Sequence, residues 1–308
     1  MQDIPFVFVI ILNYMRAQDT IDCVRTLKDS TYPSLRLIVV DNASPDSSAE
    51  LIHQAIPDIE ILHSKKNTGY AGGMNLGITY ALQFAPKYLL VLNSDTLVDR
   101  EYTYHLVSSL EANIDAACAA GTIYHYPDKG KIWYAGGKLI KIRGSGFSTR
   151  KAPDKDVLKL SRVENVTFIS GCAFLIRAEA IKKAGAFDER FFMYLEDTEL
   201  CARLLHAGFR LLYVPCAKIF HKVDEDEITP FRLYYSVRNR FLFVRTSIYG
   251  LQKLYAYIYI FVVFFMKMLV WNFIKPELFC AAKFGIEDHF KNIYYEGRGV
   301  MLAQRMVK

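Results

Sequence analysis

The sequence predicts an α/β fold with a mostly parallel sheet flanked by helices, and three observations predict it. Unbroken apolar runs of strand length recur near the start of the chain, among them "PFVFVIIL", "LRLIVVD" and "KYLLVLNSD". Segments with helical spacing separate them. Each run then ends on polar residues. A strand buried on both faces reads as an unbroken apolar run, and alternation with helices gives parallel neighbours. Ligands of such sheets bind beyond the carboxyl ends of the strands, and the polar residues at those ends are Asn13, Asp41, Asn42, Asn67 and Asp95.

The elements follow in order. "PFVFVIIL" predicts the first strand, residues near Asp19 to Asp29 a helix, and "LRLIVVD" the second strand. A helix near Ser47 to Ile56 precedes a third strand, "IEILHS". Gly72 to Phe84 reads as helix and "KYLLVLNSD" as the fourth strand. "VTFISGCAFLIR" and "GFRLLYVP" predict two more strands, and Thr229 to about His289 reads as helical. Lys141 to Leu160, rich in Gly, Ser, Pro and basic residues, reads as a mobile loop able to order over a ligand. The expected division is 1–228 for the α/β domain and 229–308 for a helical extension.

Of 308 residues, 52% are hydrophobic, ample for a core, and the net charge is +6. The basic residues are spread along the chain. Such an excess suits an anionic small molecule or a lipid surface, and with no recognisable module it argues against nucleic acid. The six cysteines form no C-x-x-C pair, which fits reduced, buried thiols in the cytoplasm. "MQDIPFVFVIIL" carries Asp3 and no basic leader, so it reads as a strand rather than a signal peptide. Leu254 to Lys275 is apolar over about one bilayer thickness. Lys267 interrupts it, and Tyr255, Tyr257, Tyr259 and Trp271 decorate it. That pattern fits a helix lying on a membrane surface; packing against the protein or a homodimer is the second reading, and a true span the third.

Several stretches carry chemistry. "NTGYAGGMNLG" places four glycines where a strand leads into a helix. Glycines allow close backbone approach, and a helix start attracts phosphate. The spacing is neither G-x-G-x-x-G nor a P-loop, which disfavours dinucleotide and Walker-type sites. "VVDNAS" ends in an Asx-prone turn whose Asp41 and Asn42 suit a base edge or a ribose hydroxyl. Asp95 in "VLNSD" is placed to hold a divalent cation against a diphosphate, or to cap a helix. "YLEDTEL" puts Glu196, Asp197 and Glu199 at a helix start, where acids are favoured by the dipole alone. His221 ends "KIFH". Arg238 and Arg240 stand on the otherwise apolar "YYSVRNRFLF", and arginine is a natural fork for phosphate oxygens.

The order of these motifs is more specific than any one of them. The Asp41 turn, the N-x-G-x-x-G-G-x-N loop, the carboxylate after "VLN", the block "GAFDERFFMYLEDTELCARLLHAGFRLLYVPCAKIFHK" and then "YYSVRNR" together resemble family 2 glycosyltransferases, nearest the rhamnosyltransferase-like branch of bacterial cell-surface polysaccharide synthesis. The likeness spans residues 5 to about 245.

The resemblance implies a GT-A fold and inverting transfer from a dTDP- or UDP-sugar to a lipid-linked oligosaccharide or polysaccharide, at the inner face of the cell membrane. It implies that Asn13, Asp41 and Asn42 bind base and ribose. Asn67, Gly69 and Gly72 would flank the donor pocket. Asn93, Ser94 and Asp95 stand where the family has D-x-D, so Asp95, with His221, would bind Mn²⁺ or Mg²⁺. Asp197 would be the general base, Glu196 would raise its basicity by like-charge repulsion, and Arg238 and Arg240 would touch the diphosphate. Asn93 replaces the first Asp of D-x-D, which leaves one charge fewer for the cation and keeps open a non-catalytic nucleotide-sugar-binding subunit. A Rossmann-type oxidoreductase is the more distant alternative.

Overall fold

Runs of aliphatic and aromatic residues build the centre of a mixed sheet. The computed structural model describes residues 4–128, 130–148, 162–222 and 228–304. In chain order come β1 (Val7–Asn13), α1 (Ala17–Lys28), β2 (Leu35–Asp41), α2 (Ser48–Ala55), β3 (Glu60–His63), α3 (Gly69–Ala81), β4 (Tyr88–Asn93), β5 (Thr96–Val98), α4 (Tyr102–Glu111), β6 (Ala116–His125), β7 (Ile132–Tyr134), β8 (Gly137–Ile140) and β9 (Ser145–Ser148). Then follow β10 (Glu164–Val166), β11 (Ala173–Arg177), α5 (Ala178–Ala184), α6 (Glu196–His206), β12 (Arg210–His221), α7 (Pro230–Ser247), α8 (Gly250–Ile274), α9 (Pro276–Phe290) and α10 (Gly299–Gln304).

The main path of the sheet runs β10-β12-β6-β11-β4-β1-β2-β3. β3, β2, β1 and β4 are parallel, whereas β11 runs antiparallel between β4 and β6. The chain leaves β1 toward β2 and β3, then returns to β4 on the other side of β1. A crevice opens at such a reversal beyond the strand ends. Asn13 and Asn93 end the two strands that flank it.

Every strand and helix expected up to "KYLLVLNSD" is present. "VTFISGCAFLIR" is not one strand: Ser170–Cys172 interrupts it, with Gly171 at the break. β6 escaped the sequence reading because its "AACAAG" start lacks the branched and aromatic residues that mark strands. Of the expected Lys141–Leu160 loop, residues 145–148 pair with β8 in a small hairpin, and 149–160 lie outside the described residues. Cys23, Cys118, Cys172 and Cys201 are buried as expected. Cys216 and Cys280 are exposed, a correction to the reading of uniformly buried thiols.

Two apolar clusters result. One fills the sheet and its covering helices. The other joins α7, α8 and α9 to Phe191, Phe192 and Leu195 of the segment before α6. α8 buries only the narrow stripe Ala256, Ile260 and Phe264. It is long and apolar enough to cross a membrane by length and composition, yet only 17% of its apolar window is buried inside the protein.

Candidate active site

β12 is the element that assembles the first half of the site. Its antiparallel pairing with β5 sets His221 opposite Thr96. The Lys222 N–H then donates to the Asp95 carbonyl at 2.9 Å. That register brings His221 Nε2 to 3.0 Å from Asp95 Oδ1, and Trp133 packs edge-on against the imidazole at 5.0 Å. Burial works against charge on both groups. It is outweighed for His221, where Cys172 and Asp95 push the imidazole up to about 10. It is outweighed for Asp95 too, whose carboxyl is lowered by its bond to His221 and by the charges of His221 and Arg16.

α6 supplies the second half. Asp197 Oδ2 accepts the Gly171 N–H at 2.8 Å, and Oδ1 accepts the Thr198 N–H at 2.6 Å. The Tyr70 hydroxyl donates to the Gly171 carbonyl at 2.5 Å. Gly171 therefore sits between Tyr70 and Asp197, where a Cβ would lie 3.2 Å from the Asp197 side chain. Sequence reasoning missed this residue; the signal was a glycine inside an apolar run, which marks a break or a close approach. Burial raises Asp197, against the pull of its hydrogen bonds. Burial first, then the charge of Asp197, raises Glu196 well above the carboxylate range, and Glu196 Oε2 is buried without a partner. Both carboxyls of the pair are therefore raised: burial is the largest cause for each, and the like-charge repulsion the sequence suggested acts between them.

The segment that leads into α6 is strained. Phe192, Tyr194 and Leu195 have φ of 62°, 67° and 69°, a region that costs non-glycine residues about 1–3 kcal/mol each. α7 holds it there. Asn239 Nδ2 donates to the carbonyls of Phe191, Met193 and Tyr194, each at 2.8 Å. Arg238 donates to the carbonyls of Phe191 at 3.0 Å, Arg190 at 3.2 Å and Tyr295 at 2.7 Å, and to Asn239 Oδ1 at 2.9 Å. From the other side, Gly69 abuts Phe192 so closely that a Cβ would collide with its carbonyl, and the Ala71 N–H donates to that carbonyl at 3.1 Å.

The expected diphosphate contact of Arg238 is therefore corrected. Its side chain is fully buried, its donors are spent on backbone carbonyls, and it does not line the cavity described below. The "VRN" motif positions the loop that delivers Asp197. Asn239 was missed because an amide in an apolar helix gives no signal until its partners are known.

The remaining candidates cluster at the ends of β1, β2 and β3. Asn13 Nδ2 donates to Asp41 Oδ1 at 2.9 Å, and the Ser44 hydroxyl donates to the same oxygen at 2.6 Å. Asp41 Oδ2 accepts the Ser44 N–H at 3.2 Å, the Asx-type turn the sequence allowed. Asn42 Nδ2 donates to Asn67 Oδ1 at 3.1 Å and to the Gly69 carbonyl at 2.9 Å. These amides staple strand ends, and Asn13, Asp41 and Asn42 are nearly inaccessible. The Gly72 Cα abuts the Thr68 side chain within the first turn of α3. Ser94 is buried beside Asp95.

One cavity of about 1170 Å³ unites the chemistry. Asn93, Asp95 and His221 line it, as do Glu196, Asp197 and Arg240. The strand-end cluster and Ser94 do not line it. Among the described residues no group of three or more His, Cys, Asp or Glu could enclose a metal ion. The Asp95–His221 pair fits a divalent cation of the kind held by one or two protein ligands plus substrate phosphates once the imidazole proton is displaced, since a ligating histidine is neutral. The Nδ1 of His221 is buried without a partner, and the pair opens into the cavity.

A sheet of this order, with carboxylates beyond β4 and at the start of α6, is the GT-A arrangement of glycosyltransferases. The mannosyltransferase PcManGT of Pyrobaculum calidifontis, solved with GDP-Man and Mn²⁺, superposes with a TM-score of 0.59 over 94% of this chain and 88% of its own, at 13% identity. The family model of glycosyl transferase family 2 matches residues 8–185, and the chain belongs to that family: it is a glycosyltransferase. It is 26% identical over 220 residues to the N-acetylglucosaminyl-diphospho-decaprenol L-rhamnosyltransferase of Mycobacterium tuberculosis, covering 64% of this chain and 69% of the relative. It is likewise 26% identical over 224 residues to the dTDP-rhamnosyl transferase RfbF of Shigella flexneri, covering 68% and 71%.

Proposed function

We propose that the chain transfers a hexose, with rhamnose favoured, from a nucleotide-diphospho-sugar to a hydroxyl of a lipid-linked or polysaccharide acceptor, inverting the anomeric carbon. The observation that carries this reading is that the Asp95–His221 pair and the Glu196–Asp197 pair open into the same cavity. The names of the Mycobacterium and Shigella relatives support rhamnose and a dTDP donor.

Asp197 takes the proton of the acceptor hydroxyl as its oxygen attacks C1. The C1–O bond to the diphosphate breaks through an oxocarbenium-like transition state, as in glycoside hydrolysis, and the proton ends on Asp197. Glu196, buried beside Asp197 and repelled by its charge, tunes that carboxylate. Asp95 and His221 would hold Mn²⁺ or Mg²⁺, which supplies positive charge against the leaving diphosphate. Asn93 and Ser94 shape that turn. Asn13, Asp41, Asn42, Asn67, Gly69 and Gly72 form the base and ribose half of the donor site, chiefly by fixing strand ends. In this reading residues 1–228 carry the chemistry, and 229–308 position the Asp197 loop and meet the inner membrane surface.

A thermal-shift panel of dTDP-, UDP- and GDP-sugars with and without Mn²⁺ tests it. Stabilisation by one nucleotide class, strengthened by Mn²⁺, is expected. No stabilisation by any of them rejects the donor assignment.

A further inference from the structure

Arg240 differs from the other partly or fully covered arginines near it. Arg203, Arg190 and Arg298 pair with Glu199, Asp188 and Asp288, and Arg238 is saturated by carbonyls. Arg240 lines the cavity with one bond, from Nη1 to the Arg143 carbonyl at 3.0 Å, while its Nε is buried without a partner. Burial, and then the nearby charge of Arg143, pull its pKa below the ordinary value. A guanidinium whose Nε is buried with no anion beside it gains from a ligand that supplies one, and its fork matches phosphate.

Its surroundings say which end of the cavity it occupies. Arg240 lies about equally far, 6.0 Å, from the rings of Phe147 in the β8–β9 hairpin and Phe264 in α8. α8 is the wall behind it, and Ile260 of α8 packs at Gly144 of the same hairpin. The opposite face of α8 exposes Leu254, Ile258, Phe261, Phe265 and Leu269. Between Gly250 and Lys275 the chain has no acidic residue and carries Lys253, Lys267 and Lys275. An exposed apolar face with Lys253 and Lys267 on the opposite, protein-facing side suits a helix lying in a bilayer interface.

We propose that Arg240 forms a second anion subsite, apart from the Asp95 end, that receives the phosphate of a prenyl-phosphate-borne acceptor, presented from a bilayer on which α8 lies. This rests on the sugar-transfer reading above and assigns Arg240 to the acceptor rather than to the donor diphosphate.

The chain has two tryptophans, Trp133 in the cavity and Trp271 on α8. In the full chain carrying Trp271→Phe, Trp133 fluorescence reports binding of farnesyl diphosphate. Arg240→Gln should weaken that binding at least 10-fold, Arg240→Lys should restore most of it, and nucleotide stabilisation should be unchanged in both. Inorganic pyrophosphate and farnesol should each bind at least 10-fold more weakly than farnesyl diphosphate. In flotation with 70:30 POPC:POPG vesicles the parent chain should rise with the lipid, and Phe261→Glu/Phe265→Glu should stay behind as a nucleotide-binding monomer. Binding of farnesyl diphosphate that is unaffected by Arg240→Gln overturns the subsite, as does pyrophosphate binding equally well. A chain that ignores vesicles, or a dimer that the double substitution dissociates, overturns the bilayer assignment. If nucleotides fail to bind any of these proteins, the sugar-transfer reading itself is what fails.

Discussion

The Gly171 N–H donates to Asp197 Oδ2 at 2.8 Å, and this bond fixes the carboxylate against the wall of the cavity. With Thr198 holding Oδ1, the side chain is oriented before any substrate arrives. A preorganised base of this kind contributes about 10²–10⁴-fold to rate. Asp197→Asn keeps the shape and removes the proton acceptor. Turnover should fall by about that factor, while stabilisation by the nucleotide donor persists. Substantial turnover in this variant would end the base assignment.

The same burial sets a pH dependence. Asp197 is raised above its ordinary 3.8, and it accepts a proton only when ionised. Activity should therefore fall as pH drops through the raised pKa, with the acid limb of kcat/KM above the usual aspartate range. If burial sets the limb, Glu196→Gln should leave it in place. A limb that moves sharply down in Glu196→Gln would show that the charge of Glu196, rather than burial, tunes the base.

The proposed cation dependence rests on the Asp95–His221 pair. EDTA should slow transfer and Mn²⁺ or Mg²⁺ should restore it, and Asp95→Asn should lose the response to added metal. The pair alone offers few ligands, so the cation should bind tightly only with the donor diphosphate present. Isothermal titration of Mn²⁺ with and without nucleotide reads this directly. Full activity in chelator would remove the metal from the scheme.

How much of this was legible in the sequence depends on the range of the interaction. The buried parallel strands announce themselves as apolar runs, and Asp95, Asp197 and His221 end or begin elements, so their types and places could be read. The glycines of "NTGYAGGMNLG" were legible as sites of close approach, but not what approaches. Gly69 meets Phe192 far along the chain, and no local pattern encodes that. β6 was invisible because alanines carry little strand signal. Arg238 was misread for the same reason of range: an arginine beside a site looks alike whether it faces phosphate or the backbone carbonyls of Arg190, Phe191 and Tyr295.

That strained backbone gives the last expectation. Asn239 donates to three carbonyls of the segment that enters α6, of which Phe191 also accepts from Arg238. Leaving buried carbonyls without donors costs about 1–3 kcal/mol, and Phe192, Tyr194 and Leu195 would then relax from their left-handed conformations. Asn239→Ala should lower the melting temperature and reduce kcat at least 10-fold, because Asp197 follows Leu195 by two residues. KM for the nucleotide donor should change little, since the strand ends of β1 and β2 are untouched. Asn239→Asp, which sets a carboxylate against three carbonyl oxygens, should be at least as damaging. If Asn239→Ala loses stability but keeps full kcat in the folded fraction at low temperature, the amide holds α7 in place without positioning the base.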